Sequence, residues 1–151
     1  MRKFEFFQFV PAGMDVVWDF FSSPSNLSRI TPPGMGFRIT SSVQKEMYPG
    51  MFISYKVSPI SGLKLNWLTE ITQINKYNFF IDEQRMGPYR IWHHEHHFRE
   101  VDGGVEMRDI LYYSVPFGIF GRLADRVFVH NKVKQIFSFR KEKILELFPE
   151  K

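Results

Sequence analysis

Residues 89–115 have the sequence YRIWHHEHHFREVDGGVEMRDILYYSV. Large apolar side chains alternate with polar ones on both sides of Asp102-Gly103-Gly104. Alternation with a period of two is typical of a strand that has one buried face, and an Asp-Gly step favours a tight hairpin turn. The stretch therefore predicts two antiparallel strands, Tyr89–Val101 and Val105–Val115.

The same alternation recurs upstream of this hairpin. Further strands are predicted at Lys3–Val10, Gly36–Ser42, Met51–Ser58, Leu63–Ile74 and Asn78–Arg85. The breaks after residue 42 are short and contain residues that favour turns, such as Tyr48-Pro49-Gly50. Connections this short favour consecutive antiparallel hairpins over parallel crossovers. We therefore expect an antiparallel sheet of seven strands.

Two short helices are predicted between the first two strands. Apolar residues recur at helical spacing over Met14–Phe21. Ser23-Pro24 places a capping residue before a proline at the first helical position, so a second helix is expected to about Ile30. With a long helix after the last strand, this order predicts an α+β fold whose sheet wraps the C-terminal helix. Such a fold leaves space for a cavity between the sheet and that helix.

The C-terminal helix has two apolar stripes that point in nearly opposite directions. The first consists of Phe120, Leu123, Ala124 and Val127, and the second consists of Val129, Val133, Ile136, Phe137, Ile144 and Leu147. One straight helix cannot bury both stripes against one sheet. We therefore predict a short helix over Ile119–Val127, a kink or break around Phe128–Asn131, and a long helix to about Phe148.

Length and composition indicate one domain spanning residues 1–151. The chain has 151 residues, which is an ordinary size for a domain, and 26 of its residues are Phe, Tyr or Trp. It contains no cysteine, which excludes disulfides and cysteine nucleophiles and fits a reducing compartment, so we expect a cytoplasmic protein. No segment approaches ~18 uninterrupted apolar residues, so we expect no membrane span. The charged N-terminal stretch is not typical of a signal peptide.

The net charge of +4 comes from the C-terminal segment alone. Residues 1–118 are balanced, whereas Ile119–Lys151 has eight basic and four acidic residues. A basic helix can meet nucleic acid or an anionic membrane. The interspersed acids favour a solvated outer face instead. Acidic side chains on the outer face of the predicted sheet would repel phosphates, so we expect no nucleic-acid partner.

Alternation also predicts which side chains face the cavity. Trp92, His94 and His96 share one face of their strand, and Trp67 and Thr69 share one face of theirs. The strand Asn78–Arg85 has apolar residues on both faces, and we choose the phase that turns Asp82 and Gln84 inward. The predicted concave face then collects Asp82, Gln84, His94, His96 and Asp109 among Tyr55, Trp67, Trp92, Met107 and Tyr113.

Three interpretations of these inward polar residues remain open. They form an internal Asp–His hydrogen-bond network, or the few convergent polar groups of an apolar ligand pocket, or an acid–base pair with His94 and Asp82 as catalytic candidates. Two histidines on one strand face, with Asp82 or Asp109, also match a two-His, one-carboxylate metal site. No spacing fixes the position of that carboxylate, so we expect neither a metal nor a cofactor.

Several short motifs, spread over the whole chain, resemble one family. They are Pro24-Ser-Asn-Leu27, Ile30-Thr-Pro-Pro33, Pro49-Gly50 with Ile53-Ser-Tyr55, Trp67-Leu-Thr69, Phe80-Ile-Asp-Glu-Gln84, Gly87-Pro-Tyr89, Trp92-His-His-Glu-His-His-Phe98, Asp109 with Tyr112 and Pro116, and Phe137 with Arg140. In order and spacing they resemble the START-related (SRPBCC) helix-grip superfamily, which includes polyketide cyclase/dehydrase-like proteins, and within it a bacterial branch of single-domain ligand-binding proteins.

The resemblance implies a seven-stranded sheet that grips the C-terminal helix around a hydrophobic cavity. Members of the superfamily bind lipids, polyketides or other aromatic compounds there, and some catalyse cyclisation or dehydration. The resemblance places Leu27 and Ile30 at the entrance. The superfamily shares no catalytic motif, so it assigns no catalytic residue to this chain.

Together these observations favour a non-enzymatic protein that binds a small hydrophobic or aromatic molecule. Apolar contacts are expected from Tyr55, Trp67, Trp92 and Phe137, with Thr69 and Tyr113 on the same inner surface. Asp82, Gln84, His94, His96 and Asp109 are expected to orient a polar group of the ligand. The alternative is an enzyme of cyclase, dehydratase or isomerase type that uses an Asp–His pair. We expect a monomer or a weak homodimer.

Overall fold

The computed structural model describes residues 1–60 and 63–149. It is an α+β fold built on one antiparallel sheet of seven strands in the order β1-β7-β6-β5-β4-β3-β2. The strands are β1 (Arg2–Val10), β2 (Arg38–Ile39), β3 (Met51–Ile60), β4 (Leu63–Asn75), β5 (Phe79–Met86), β6 (Ile91–Val101) and β7 (Gly104–Ser114). The predicted fold class and strand number are confirmed. Consecutive strands from β2 to β7 pair as neighbours, as the short connections predict.

The predicted strand Gly36–Ser42 is the largest error in the sheet. Only Arg38–Ile39 pairs, opposite Lys56 and Tyr55, and the chain then runs without regular structure to Gly50. The alternation in Gly36–Ser42 comes from Phe37 and Ile39, which both line the interior although Phe37 lies in a turn outside the strand. Apolar residues in a loop can imitate a short strand, because alternation over a few residues is a weak signal.

Helices cover one side of the sheet. Helix α1 (Met14–Phe21) buries Val17, Trp18, Phe20 and Phe21. The second predicted short helix is a 3₁₀ segment over Pro24–Ile30, and another 3₁₀ turn spans Pro33–Met35. None of the helices among the described residues is long and apolar enough to cross a membrane.

The C-terminal helix is continuous, so of the predicted kink or break the break is wrong, and the kink stays a prediction. Helix α2 (Gly118–Ala124), a π-helical turn over Asp125–Val129 and helix α3 (His130–Leu147) follow one another without a non-helical residue. The prediction assumed that both apolar stripes must be buried. Instead, α3 buries Val133, Phe137 and Ile144, whereas the first stripe lies in solvent. A π turn contains one extra residue, so it changes the rotational phase of the helix close to the predicted break.

Two apolar clusters flank the space between the sheet and the helices. The larger cluster joins α1 to β3, β4, β6 and the end of α3, and includes Val17, Ile71, Phe98 and Ile144. The smaller cluster consists of Leu111, Tyr113, Val133 and Phe137. Irregular pairing at three points of β3–β4 and β4–β5 interrupts the ladder and bends the sheet around α3.

Candidate functional site

A cavity of about 140 Å³ lies between the sheet, the 3₁₀ segment and helix α3. Strands β3 to β6 supply its floor, and the 3₁₀ segment supplies Leu27 and Ile30. The lining is mostly apolar and aromatic, with a small number of polar groups. This composition is the usual form of a small-molecule site.

One wall of the cavity consists of aromatic rings that surround the hydroxyl group of Thr69. Thr69 Oγ1 accepts a hydrogen bond of 3.0 Å from Trp67 Nε1 and lies 2.9 Å from the hydroxyl of Tyr55. The rings of Tyr55 and Trp67 stack with centroids 5.6 Å apart, and Trp92 meets Trp67 edge-on at 5.2 Å. Burial raises the pKa of Tyr55, with a further contribution from the charge of Asp82, so this phenol stays neutral. The wall is therefore apolar, uncharged and fixed in orientation.

Two histidines and two aspartates form a closed ring at the sheet. His94 and His96 lie on the inner face of β6, with Asp82 opposite on β5 and Asp109 opposite on β7. His94 Nδ1 lies 3.5 Å from Asp82 Oδ2, and His94 Nε2 lies 3.1 Å from Asp109 Oδ1. His96 Nε2 lies 3.0 Å from Asp82 Oδ2, and His96 Nδ1 lies 2.7 Å from Asp109 Oδ1 without hydrogen-bond alignment. Both nitrogens of each imidazole thus face a carboxylate.

Mutual pairing keeps Asp82, Asp109 and His94 charged although they are buried. Burial opposes ionisation of Asp82, but hydrogen bonds and charge from His94 and His96 outweigh it and hold the pKa of Asp82 below its usual value. Burial is likewise outweighed at Asp109, whose pKa is also lowered. Burial disfavours a charged His94, yet its bonds to Asp109 and Asp82 raise the pKa of this histidine. At His94 the ring therefore places an imidazolium between two carboxylates, and these opposite charges stabilise one another inside the fold.

The same residues include a possible metal-ligand set. One ligand atom from each of Asp82, His94 and His96 lies within 4.8 Å of the other two, so these three side chains could hold a divalent ion. An ion would have to replace the protons that now sit between histidine and aspartate. Since His94 Nε2 and His96 Nε2 already bond to Asp109 and Asp82, the geometry fits a hydrogen-bonded ring better than an open metal site.

Helix α3 brings two cations to the cavity. Lys132, Ile136 and Arg140 follow one another at four-residue spacing and line it together. The guanidinium of Arg140 lies 5.0 Å from the centre of the Phe137 ring, and its buried Nε has no hydrogen-bond partner in the described part of the chain. Within residues 1–60 and 63–149, neither Lys132 nor Arg140 forms an ion pair. The interpretation of the basic residues of this helix as a solvated outer face is therefore wrong for these two side chains.

The structure brings most of the predicted ligand-binding residues to one cavity. Its lining includes Tyr55, Trp67, Thr69, Asp82, Trp92, His94 and His96, together with the predicted entrance residues Leu27 and Ile30. The phase chosen for β5 is confirmed, because Phe80 and Asp82 both face this space. The ligand contacts themselves stay predictions.

Four predicted residues lie outside the lining because they are engaged elsewhere. The amide of Gln84 donates to the carbonyl of Tyr89 at 2.6 Å and accepts from its backbone N–H at 3.2 Å. Asp109 belongs to the ring described above, on the neighbouring strand β7. Tyr113 donates its hydroxyl hydrogen to Asp125 at 2.7 Å, and Phe137 stacks on Phe6 with centroids 4.1 Å apart.

Several lining residues escape prediction from sequence. Phe20 and Phe21 come from α1, Met35 and Phe37 come from the turn before β2, and Met47 comes from the loop before β3. Met35 and Met47 lie in segments that follow no period, so alternation could not assign them a direction. Phe20, Phe21 and Phe37 lie in predicted elements but were not assigned to the cavity. The positions of Lys132 and Arg140 could have been predicted from helical periodicity. Each lies four residues from Ile136, so all three side chains share one stripe of the helix.

Comparison with known proteins identifies the fold. No family model matches this sequence, and no curated protein matches it. Solved structures do match: protein CV1439 from Chromobacterium violaceum has a TM-score of 0.76 at 11% identity, with 100% of both chains covered. Ara h 8.0201 has a TM-score of 0.63 at 14% identity, covering 96% of this chain and 98% of its own.

A START superfamily protein from Mycobacterium smegmatis is also similar, with a TM-score of 0.68 at 9% identity over 96% of this chain and 98% of that one. At such low sequence identities, the similarity shows the fold alone. Together with the seven-stranded sheet and the long C-terminal helix, it shows that this chain has the helix-grip fold of START-like proteins.

Proposed function

We propose that this protein binds a compact hydrophobic or aromatic molecule that carries an acidic group. The observation that carries the proposal is the cavity itself, whose aromatic wall is accompanied by two cations that form no ion pair within the described part of the chain. An apolar cavity with a few oriented polar groups is the form that small-molecule sites usually take. The similarity in fold to a START superfamily protein supports a ligand-binding role.

The size of the cavity favours a small ligand. Its volume of about 140 Å³ is close to that of an engineered protein cavity of roughly 150 Å³ that binds benzene. One aromatic ring therefore fits without rearrangement. A longer, lipid-like or polyketide-like molecule would have to displace the 3₁₀ segment that carries Leu27 and Ile30.

Charge favours an anionic head group. The carboxylates of the Asp–His ring already lie within 3.5 Å of imidazole nitrogens of His94 and His96, so the ring does not favour a cationic group on the ligand. Lys132 and Arg140 form no ion pair within the described residues. A ligand carboxylate near them would gain charge-assisted hydrogen bonds, including one from the buried Nε of Arg140.

The test uses two probes that differ only at the head group. Isothermal titration with 4-phenylbutyrate and with neutral 4-phenylbutan-1-ol should show tighter binding of the acid. Replacing Arg140 with Met should reduce binding of the acid by about tenfold or more and leave the alcohol nearly unchanged, because a charge-assisted bond contributes about 1.5–3 kcal/mol. If both probes bind with equal affinity, the proposed preference for an acidic group is wrong, but the proposed binding of a small molecule stands. If neither probe binds, the proposed function is contradicted.

A matched pair of variants shows whether the probe occupies the cavity. Ile53 is 3% exposed and lines it, so Ile53→Phe should fill space and weaken both probes. Its neighbour Phe52 is 51% exposed on the other face of β3, so Phe52→Leu should leave both affinities unchanged. Circular dichroism of both variants establishes that the fold is retained.

The Asp–His ring supports an acid–base enzyme as a second candidate. Asp82, His94 and His96 line the cavity, and His96 Nε2 hydrogen-bonds to Asp82 at 3.0 Å. Such a pair can move protons to and from a bound molecule. Native mass spectrometry of protein purified from its own host would identify a retained molecule. With that molecule, Asp82→Asn or His94→Ala should reduce only affinity in a binding protein, but should reduce turnover with binding largely intact in an enzyme.

A further inference from the structure

The start of the C-terminal helix exposes an apolar surface, which we call the α2 patch. It consists of side chains that stand largely in solvent: Phe117 (82% exposed), Ile119 (67%), Phe120 (79%), Leu123 (62%), Val127 (69%) and Phe128 (44%). Single exposed apolar residues are ordinary, but six within twelve consecutive residues form a cluster. Clusters of this kind mark interaction surfaces.

The α2 patch is held outward by contacts on the opposite side of the helix. There, the carboxylate of Asp125 accepts a hydrogen bond of 2.7 Å from the hydroxyl of Tyr113 and pairs with Arg2. Gly121 lies so close to the carbonyl oxygen of Pro116 that a Cβ atom would overlap it. Gly121 and Asp125 therefore face the protein, and the large apolar residues of this segment face solvent.

The backbone at Phe117 is strained in the same region. Its φ of 69° is a left-handed backbone conformation that residues other than glycine rarely adopt. This turn leads the chain from β7 into α2 and leaves the Phe117 ring almost fully exposed. A glycine would adopt the turn freely, so the phenyl ring is present at a position where the fold gains nothing from it.

Charge around the α2 patch has one sign. Between residues 115 and 134 the charged side chains are Arg122, Arg126, Lys132 and Lys134, and the single acid, Asp125, is buried in its contacts with Tyr113 and Arg2. A second copy of the chain, related by a two-fold axis at the patch, would bring like charges together. An anionic lipid surface instead attracts the cations and receives the apolar side chains.

We propose that the α2 patch docks this protein on an anionic lipid bilayer. Phe117, Phe120 and Leu123 would enter the boundary between head groups and acyl chains, and Arg122 and Arg126 would contact anionic head groups. The cavity lies nearby, because Lys132, which lines it, follows Phe128 by one helical turn. Docking on the bilayer does not require the proposed ligand. If the docked protein also exchanges that ligand with the bilayer, this further step rests on the proposed function.

The experiment measures vesicle binding and ligand binding separately. Sedimentation with vesicles of phosphatidylcholine, with and without phosphatidylglycerol, should show binding that requires the anionic lipid and weakens as salt is added. The double variant Phe120→Ser, Leu123→Ser should reduce binding by at least about tenfold. Its matched control, Phe52→Ser with Leu145→Ser, removes one exposed Phe and one exposed Leu elsewhere and should bind like the wild type. Arg122→Gln with Arg126→Gln should remove the preference for phosphatidylglycerol.

Three results would overturn the docking proposal. The wild type could fail to bind phosphatidylglycerol vesicles, or the patch and control variants could bind equally. Light scattering could also show that the wild type is a dimer and the patch variant a monomer, with no vesicle binding by either protein. The patch would then be an interface between two copies of the chain. Titration of the patch variant with 4-phenylbutyrate, without vesicles, should match the wild type, so a failure of docking is distinct from a failure of ligand binding.

Discussion

The Nε2 atom of His94 lies 3.1 Å from Oδ1 of Asp109, while the other nitrogen of the same ring faces Asp82 at 3.5 Å. An imidazole between two carboxylates is stable there only when it is protonated, because a neutral ring would turn a lone pair toward one of them. His94 is 3% exposed, so water cannot relieve that repulsion. The charge state of this one side chain therefore links the cavity floor to pH.

Stability should depend on pH through this ring. The pKa of His94 is raised above its ordinary 6.5, so its contribution is complete below that value and is lost as pH rises through the folded-state pKa. The pKa values of Asp82 and Asp109 are lowered from 3.8, so their contribution is complete above that value and is lost as pH falls below it. The ring should stabilise the fold most between about pH 4 and pH 6.5.

Urea unfolding of the His94→Gln variant measures this effect. At pH 5 the variant should lose about 3–5 kcal/mol of unfolding free energy relative to the wild type, since one partner of a buried charge network is removed. The difference should shrink at pH 9. His97→Gln is the control on the outer face of the same strand and should cost less than about 1 kcal/mol. An equal loss for His94→Gln at both pH values would contradict the charged ring.

The ring should bind no stoichiometric metal. Among the three possible ligands, His96 already hydrogen-bonds to Asp82 and His94 already hydrogen-bonds to Asp109, so an ion would have to displace these contacts. Elemental analysis of the purified protein should find far less than one equivalent of zinc, iron, nickel or manganese. Adding EDTA should leave the melting temperature unchanged. One equivalent of a metal that disappears in the His96→Gln variant would show the opposite.

The hydroxyl of Thr69 should hold the aromatic wall in place. Thr69→Val removes the partner of both Trp67 Nε1 and the Tyr55 hydroxyl, and leaves these polar atoms buried. We expect a loss of about 1–3 kcal/mol in the free energy of unfolding and a shift in tryptophan emission. Thr69→Ser keeps the hydroxyl and should restore the emission spectrum. If the Val and Ser variants share one spectrum, the hydroxyl does not orient the wall.

The inner face of the sheet was predictable because burial fixes the phase of a strand. In β6, a shift by one residue would exchange Trp92, His94 and His96 with His93, Glu95 and His97. The latter three form ion pairs and hydrogen bonds on the outer face, so only one phase suits both surfaces. The position of the histidines inside the cavity region therefore followed from alternation alone.

The rest could not be predicted because it depends on partners distant in sequence. Gln84 shares the inward phase of Asp82, but Tyr89 takes both ends of its amide. In the C-terminal helix, periodicity located two apolar stripes but not their environment. Contacts of Asp125 with Tyr113 and Arg2 decide which side of α2 faces the protein, and no local pattern encodes them.

Gly121 should be required for the path of the C-terminal helix. An added Cβ would overlap the backbone carbonyl of Pro116, and neither backbone segment can yield as a flexible side chain would. Gly121→Ala should therefore destabilise the fold by about 1–3 kcal/mol in urea unfolding, even though alanine favours helices. Gly34→Ala is the matched control, because its Cβ would meet no atom within 4 Å, and it should leave stability unchanged or raise it by about 0.4–1 kcal/mol. Equal stability of the two variants would mean that α2 does not lie against Pro116, and the outward orientation of the α2 patch would lose one of its two anchors.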